Sequence, residues 1–285
     1  MCKNLTEMIR LIIYLLNLRK APHMNAIPLD KNNGLIKVPV IITIYFWVIK
    51  ILATTVGETG ADFLIFNLHF GLMVTSLLMG IILLAVLYAQ VKSKRYIPWL
   101  YWLTVVLVSI VGTLITDNLT DNFGVSLAVS TLLFSIALAI TFFVWYKVEN
   151  SLSIHSIYTP KREMFYWAAI LLTFALGTAA GDLLGESLGL GYWLSAVIFG
   201  IAILIVTLGF YLFKLNGILA FWMAYILTRP MGASIGDYLS QAVKNGGLGL
   251  GTVATSAIFL IAIIVLVTYL TITKTDAPLA SKKPT

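Results

Sequence analysis

Four aspartates recur in a single register. At four places the chain reads aromatic-Trp, nine residues, Gly, four residues, Asp, one residue, Leu. The copies are Phe46-Trp47 with Gly57, Asp62 and Leu64; Tyr101-Trp102 with Gly112, Asp117 and Leu119; Tyr166-Trp167 with Gly177, Asp182 and Leu184; and Phe221-Trp222 with Gly232, Asp237 and Leu239. Residues four apart on a helix stack on one face, so Lys50, Thr54, Glu58 and Asp62 form one stripe. The matching stripes are Ser109, Thr113, Asp117 and Asp121; Thr178, Asp182 and Glu186; and Arg229, Ala233 and Asp237. Carboxylates beside hydroxyls are hard oxygen ligands, suited to Mg, Mn, Ca or Na ions rather than to soft metals. Crowded carboxylates also disfavour one another's ionisation, which makes the same groups proton carriers. The expected site is a cation site or proton relay on Asp62, Asp117, Asp182 and Asp237. Glu58, Glu186 and Asp121 join it from the same stripes, with Thr54, Thr113 and Thr178 as hydroxyl ligands.

Lys50 and Arg229 are basic residues inside apolar runs, one turn apart on the stripes of the first and last copies. They are expected to be counter-ions. One role is as fixed partners of Glu58, Asp62 or Asp237 that lower the cost of burial. The other is as internal cations that release a carboxylate when substrate or proton arrives. Pro230, next to Arg229, removes a backbone hydrogen bond and should kink its helix. A plainer reading competes with the shared site. From Ile97 to Asp117 is about twenty residues, roughly 30 Å of helix, which would put the aspartate at an interface where it merely ends the helix. A carboxylate at a helix C-terminus opposes the macrodipole, however, and four repetitions of an unfavourable choice favour a function. His69 stands alone at such an interface and is read as having no role, and the aromatic-Trp pairs are read as packing or interface anchors.

These residues sit in a chain that is 60% hydrophobic and only 11% charged, against about a quarter charged in an ordinary soluble domain. A membrane-crossing helix needs roughly 20 apolar residues. Runs near that length cover 38–57, 69–91, 97–116, 124–146, 164–181, 190–213, 217–237 and 250–273, with no strand-like alternation. The expected fold is an all-α integral membrane protein of eight transmembrane helices, as four parallel two-helix repeats in two pseudo-symmetric halves. Its divisions are a cytoplasmic N-terminal segment 1–37, a first half 38–146, a cytoplasmic connector 147–163, a second half 164–273 and a cytoplasmic tail 274–285. Residues 1–23 read as a short interfacial helix, or as an extension ahead of a true start at Met24. Apart from Lys50, Arg229 and Lys244, every Lys and Arg lies in the tails or in the loops before odd-numbered spans, which puts both termini in the cytoplasm. The net charge of +7 therefore reflects topology, and no nucleic-acid partner is implied. The single cysteine, Cys2, excludes a disulfide framework.

Small residues lie beside each stripe: Gly57 and Ala61, Gly112 and Thr116, Gly177 and Gly181, Gly232 and Gly236. Such pairs let helix backbones approach closely, so the four motif helices are expected to pack around one axis with their carboxylates converging on it. This register, together with the segment Lys50-Ile-Leu-Ala-Thr-Thr-Val-Gly-Glu-Thr-Gly-Ala-Asp62, resembles a family of bacterial multi-pass membrane-anchored proteins made of four copies of a repeat of unknown function. The resemblance runs from about residue 38 to 273 and implies the same architecture and a bacterial inner membrane, with no activity attached. The residues themselves point to a secondary transporter or exporter of a small cation, a divalent metal ion first, exchanged with protons. The lipid bilayer and that cation are the expected partners, and no resident cofactor is implied. A proton-coupled carrier of a small organic solute and a non-transporting scaffold are the alternatives. No P-loop and no nucleophile–base pair is visible, so an enzyme is not expected.

Overall fold

The computed structural model describes residues 36–39 and 41–276. Among the described residues there is no strand, and eight α-helices account for the fold: α1 Ile44–Asp62, α2 Gly71–Lys92, α3 Pro98–Asp117, α4 Leu127–Glu149, α5 Pro160–Asp182, α6 Tyr192–Leu212, α7 Gly217–Ser240 and α8 Gly251–Thr273. Seven of these, α2 to α8, are long and apolar enough to cross a membrane. The exception is α1, whose apolar run is interrupted by Lys50, Glu58 and Asp62. It begins at Ile44 rather than at residue 38, because Pro39 disfavours helix around it and Thr43 is extended. The expected interfacial helix in 1–23 lies outside the described residues.

Local chemistry sets the other starts. Pro98 and Pro160 occupy the first turns of α3 and α5, where the missing N–H costs nothing. Thr159 caps α5 through the Arg162 amide, and Asn216 caps α7 through the amides of Ile218 and Leu219.

The packing order is cyclic. Helices α1, α3, α5 and α7 form an inner ring in which each touches the next and α7 returns to α1. The second helix of every repeat then covers the first helix of the following repeat: α2 lies on α3, α4 on α5, α6 on α7, and α8 closes on α1. Burial follows from this, with 83% of the apolar stretch of α3 buried against 17% in α2 and in α4.

The motif glycines explain how the ring closes. Gly57 lies against Ser109, Gly112 against Phe174, Gly177 against Arg229 and Gly232 against Thr54. Each of those partners stands three residues before the motif glycine of its own repeat, so one contact is repeated around the ring. Hydroxyls reinforce it, Thr55 donating to the Gly232 carbonyl (3.0 Å) and Thr116 to that of Ala175 (2.9 Å). At the N-terminal ends of the ring, Tyr101 and Tyr166 share a 2.6 Å hydroxyl hydrogen bond, and Phe46 packs on Trp102 and Tyr225. The aspartates occupy the opposite ends, so the inner helices run in one direction.

A methyl group at Gly112 would meet the Phe174 Cβ and the backbone of α5, whereas at Gly60 the nearest atom is 3.7 Å away. Gly112→Ala should therefore cost about 1–3 kcal/mol through overpacking. Gly60→Ala should be neutral or stabilising by up to about 1 kcal/mol through its helix propensity. Thermal unfolding of the two purified variants in detergent checks this; equal midpoints would contradict the close approach.

Candidate functional site

The site is built from equivalent positions of the four inner helices. Three residues before the motif glycine stand Thr54, Ser109, Phe174 and Arg229, and one residue after it stand Glu58, Thr113, Thr178 and Ala233. Arg229 is fully buried and crosses from the first set to the second. Its Nη1 donates to the Thr54 carbonyl (2.9 Å), and its Nη2 to Glu58 Oε2 (3.0 Å), to the Thr178 hydroxyl (2.7 Å) and to the Thr113 hydroxyl. Thr113 in turn donates to Glu58 Oε2 at 3.3 Å. One side chain of α7 is thus held by α1, α3 and α5. Removing a partner from a buried guanidinium is costly because the charge is left uncompensated, so this network fixes the relative register of the ring.

Just beyond the guanidinium, Glu58, Asp182 and Asp237 each place one carboxylate oxygen within 4.8 Å of the others. Glu58 and Asp237 are buried and Asp182 is half-buried. Two carboxylates at that separation repel by about 3–4 kcal/mol at an effective dielectric constant near 20. Arg229 bonds only Glu58 among the three. Asp182 and Asp237 are left to be balanced by further positive charge, as a cation or as protons.

Several expected ligands fall elsewhere. Asp62 and Asp117 are half-buried at the matching turns of α1 and α3, outside the 4.8 Å group. Asp121 and Glu186 are exposed, accepting from the Thr120 and Tyr192 hydroxyls at 3.0 Å each. For Asp121 and Glu186 the reason is a change of helix type. After Asp62, Asp117 and Asp182 the backbone continues as a π turn: Phe63–Asn67, Asn118–Asn122 and Leu183–Ser187. Bonding from i to i+5 breaks the four-residue stacking, so Asp121 and Glu186 leave the stripes they were expected to share. α7 has no such turn and stays α-helical to Ser240.

Lys50 is also not where its spacing suggested. It is fully buried, with Nζ 4.2 Å from the Phe174 ring centroid and 4.1 Å from that of Tyr225, and it has no hydrogen-bond partner among the described residues. It lies two turns from Glu58 on α1, roughly 12 Å along the axis, and pairs with rings instead of a carboxylate. Thr54 also differs: its hydroxyl donates to the Ile51 carbonyl at 2.6 Å and reaches the Thr228 carbonyl of α7 at 3.4 Å, and only its carbonyl meets Arg229. Thr113 and Thr178 do face the site, as partners of Arg229. Gly181 and Gly236 pack on the Pro230 backbone and on the carbonyl of Thr55. His69 is exposed.

The other end of the ring holds polar residues that spacing did not single out. Lys37, in the segment before α1, forms a 3.0 Å ion pair with buried Glu163 and also donates to the Val91 carbonyl. Gln90 donates to the Lys37 carbonyl at 3.1 Å. Past α8, Asp276 accepts from the Tyr96 hydroxyl at 2.6 Å, and its carbonyl accepts from the Ile41 amide. Chain segments from both ends thereby meet over the aromatic end of the ring. Burial pushes Asp276 above the ordinary carboxylate range, with the Tyr96 hydrogen bond offsetting part of the shift. Burial, then the neighbouring Asp276, pushes Tyr96 well above the usual phenol value. The only hint in the sequence was a polar residue at the edge of an apolar run, which is too common to select Gln90 or Glu163.

Residues 45–96, 100–151, 165–216 and 220–276 each match the family model described as Repeat of Unknown Function (DUF347). No curated protein and no solved structure matches the chain.

The Asp276 shift gives a pH signature. A carboxyl whose folded value is raised contributes stability that is fully present below the unfolded value, about 3.9, and lost as pH rises through the folded value. Asp276→Asn should match the native chain below about pH 4 and be the more stable above it, the gap widening until Asp276 is ionised. Melting midpoints of the two proteins across that range check this; a gap that narrows with rising pH would contradict it.

Proposed function

Because the chain belongs to the four-copy repeat family of unknown function, DUF347, kinship brings no activity with it, and we propose from the geometry that it is a membrane transporter of a small cation. A divalent metal ion is the class that suits its ligands, exchanged for protons. The observation that carries this reading is the convergence of Glu58, Asp182 and Asp237, from three different inner helices, to within 4.8 Å. Calcium-type ligand oxygens stand about 2.3–2.6 Å from the ion, so ligands on opposite sides lie up to about 5 Å apart. Mg, at about 2.0–2.1 Å, needs the three drawn closer or bridging water.

In this reading all eight helices cross the bilayer. The outer faces of α2, α4, α6 and α8 meet lipid through residues such as Leu77, Leu84, Ile136, Ile205 and Ile264, all exposed. α1 crosses as well, its charged residues turned into the ring, where the other inner helices satisfy or cover them. The basic residues at the aromatic end support a cytoplasmic position for that end and for both termini, with the triad facing outward. This is the topology of a bacterial cytoplasmic-membrane protein. Lys50, buried and without a hydrogen-bond partner among the described residues, lies over the same Phe174 ring as Arg229 and favours a second reading, a proton-coupled carrier of a small organic anion held by these two cations.

Metal-dependent thermal stabilisation of the purified protein separates the two. Saturation at about 100 times Kd should add about 2.7 kcal/mol. Glu58→Gln, Asp182→Asn and Asp237→Asn should remove it, and Asp121→Asn and Glu186→Gln should not. No stabilisation by Mg, Mn, Ca or Na, with solute uptake that depends on Lys50, would favour the organic-anion reading. Reporter fusions at Lys94 and Lys214 should report cytoplasm and those near Asn122 and Gly189 the outside; an outside signal at Lys94 would overturn the eight-span topology.

A further inference from the structure

We propose that Arg229 is a tethered stand-in for the transported cation: it holds Glu58 while the triad is unloaded and must withdraw, by bending of α7 at Pro230, when a cation binds. This rests on the reading of the triad as a cation site. The inner ring is four-fold in its contacts, so departures from that pattern mark what the repeats do not share. α7 departs three times. It carries Arg229 where its counterparts carry Thr54, Ser109 and Phe174. It carries Pro230 inside the helix, and it lacks the π turn that follows the motif aspartate in α1, α3 and α5. α1 makes the complementary departure, with Glu58 where the others have Thr113, Thr178 and Ala233.

The guanidinium bonds the Glu58 carboxylate at 3.0 Å, and the cation would draw on the same carboxylate. Two positive groups on one buried carboxylate repel strongly, so occupancy by one disfavours the other. Pro230 leaves the Ile226 carbonyl without its helical donor, placing a soft joint one residue beyond Arg229. Thr113 and Thr178 are the arginine's acceptors, and through Nη2 they hold the guanidinium in place. Competition of this kind keeps one positive charge on Glu58 in either state, and it gives the outgoing ion a displacing group built into the protein.

The test is Mn2+ binding by the full chain in detergent, measured by titration calorimetry. Thr113→Val and Thr178→Val are near-isosteric and keep every charge, but each removes a hydrogen bond to the guanidinium, and Thr113→Val also removes the hydroxyl's own bond to Glu58. Each should tighten Mn2+ binding by about three- to tenfold. If these threonines were metal ligands, the same variants would weaken binding, so the sign of the change decides. Arg229→Gln should tighten binding by about tenfold or more while slowing Mn2+ exchange across liposome membranes, because nothing then displaces the ion. Should Arg229→Gln not fold, the threonine variants carry the test alone. Native protein that binds Mn2+ with folded threonine variants that bind it equally or more weakly would overturn the competition while leaving the triad site standing. Native protein that binds no Mn2+ would overturn the triad site and the competition with it.

Discussion

The inner ring is organised around one buried guanidinium. Arg229 has no solvent exposure, and its Nη groups are satisfied only because α1 offers the Thr54 carbonyl and Glu58 while α3 and α5 offer Thr113 and Thr178. A charge in that position is destabilising unless it is paired and hydrogen-bonded, so the four helices must hold one relative register to keep it. Gly177 is part of the same constraint, since any side chain there would occupy the space of the arginine's aliphatic stem.

Around this centre the repeat solves a packing problem that one copy cannot. Each inner helix is covered by the second helix of the preceding copy, and the last copy covers the first. Each motif helix is covered mainly by the preceding copy rather than by its own, so the arrangement is complete only when four are present and closed. The two ends of the ring then differ. The aromatic end is sealed by rings, by the Lys37–Glu163 pair and by Asp276 on Tyr96, while the opposite end gathers the carboxylates. A ring closed at one end and acidic at the other has a direction, and in the proposed reading that direction is the transport axis.

Much of this was legible in the residues. The recurrence of Trp, Gly and Asp in one register disclosed four copies, and the small residues beside the stripes disclosed the close approach that Gly57, Gly112, Gly177 and Gly232 make. What spacing could not supply was rotation and reach between helices. Asp121 and Glu186 share a four-residue stripe with Asp117 and Asp182 only if the helix stays α, and the π turns remove them. Lys50 and Glu58 share a face of α1 but not a depth, so the lysine finds Phe174 and Tyr225 instead. Thr54 bonds its own helix through its hydroxyl, a local choice open to any helical threonine. Glu163 and Lys37 meet across the fold from segments that carry no shared pattern.

In the proposed reading, carboxylates from three inner helices take a cation that crosses the protein in exchange for protons. Purified protein in sealed liposomes, loaded with a pH-sensitive dye and given an inward Mn2+ gradient, tests it most directly. Mn2+ should enter with matching alkalinisation of the interior, and both should be lost in Asp182→Asn. Mn2+ entry without proton movement would contradict the exchange, and the same flux in native and Asp182→Asn protein would contradict the site.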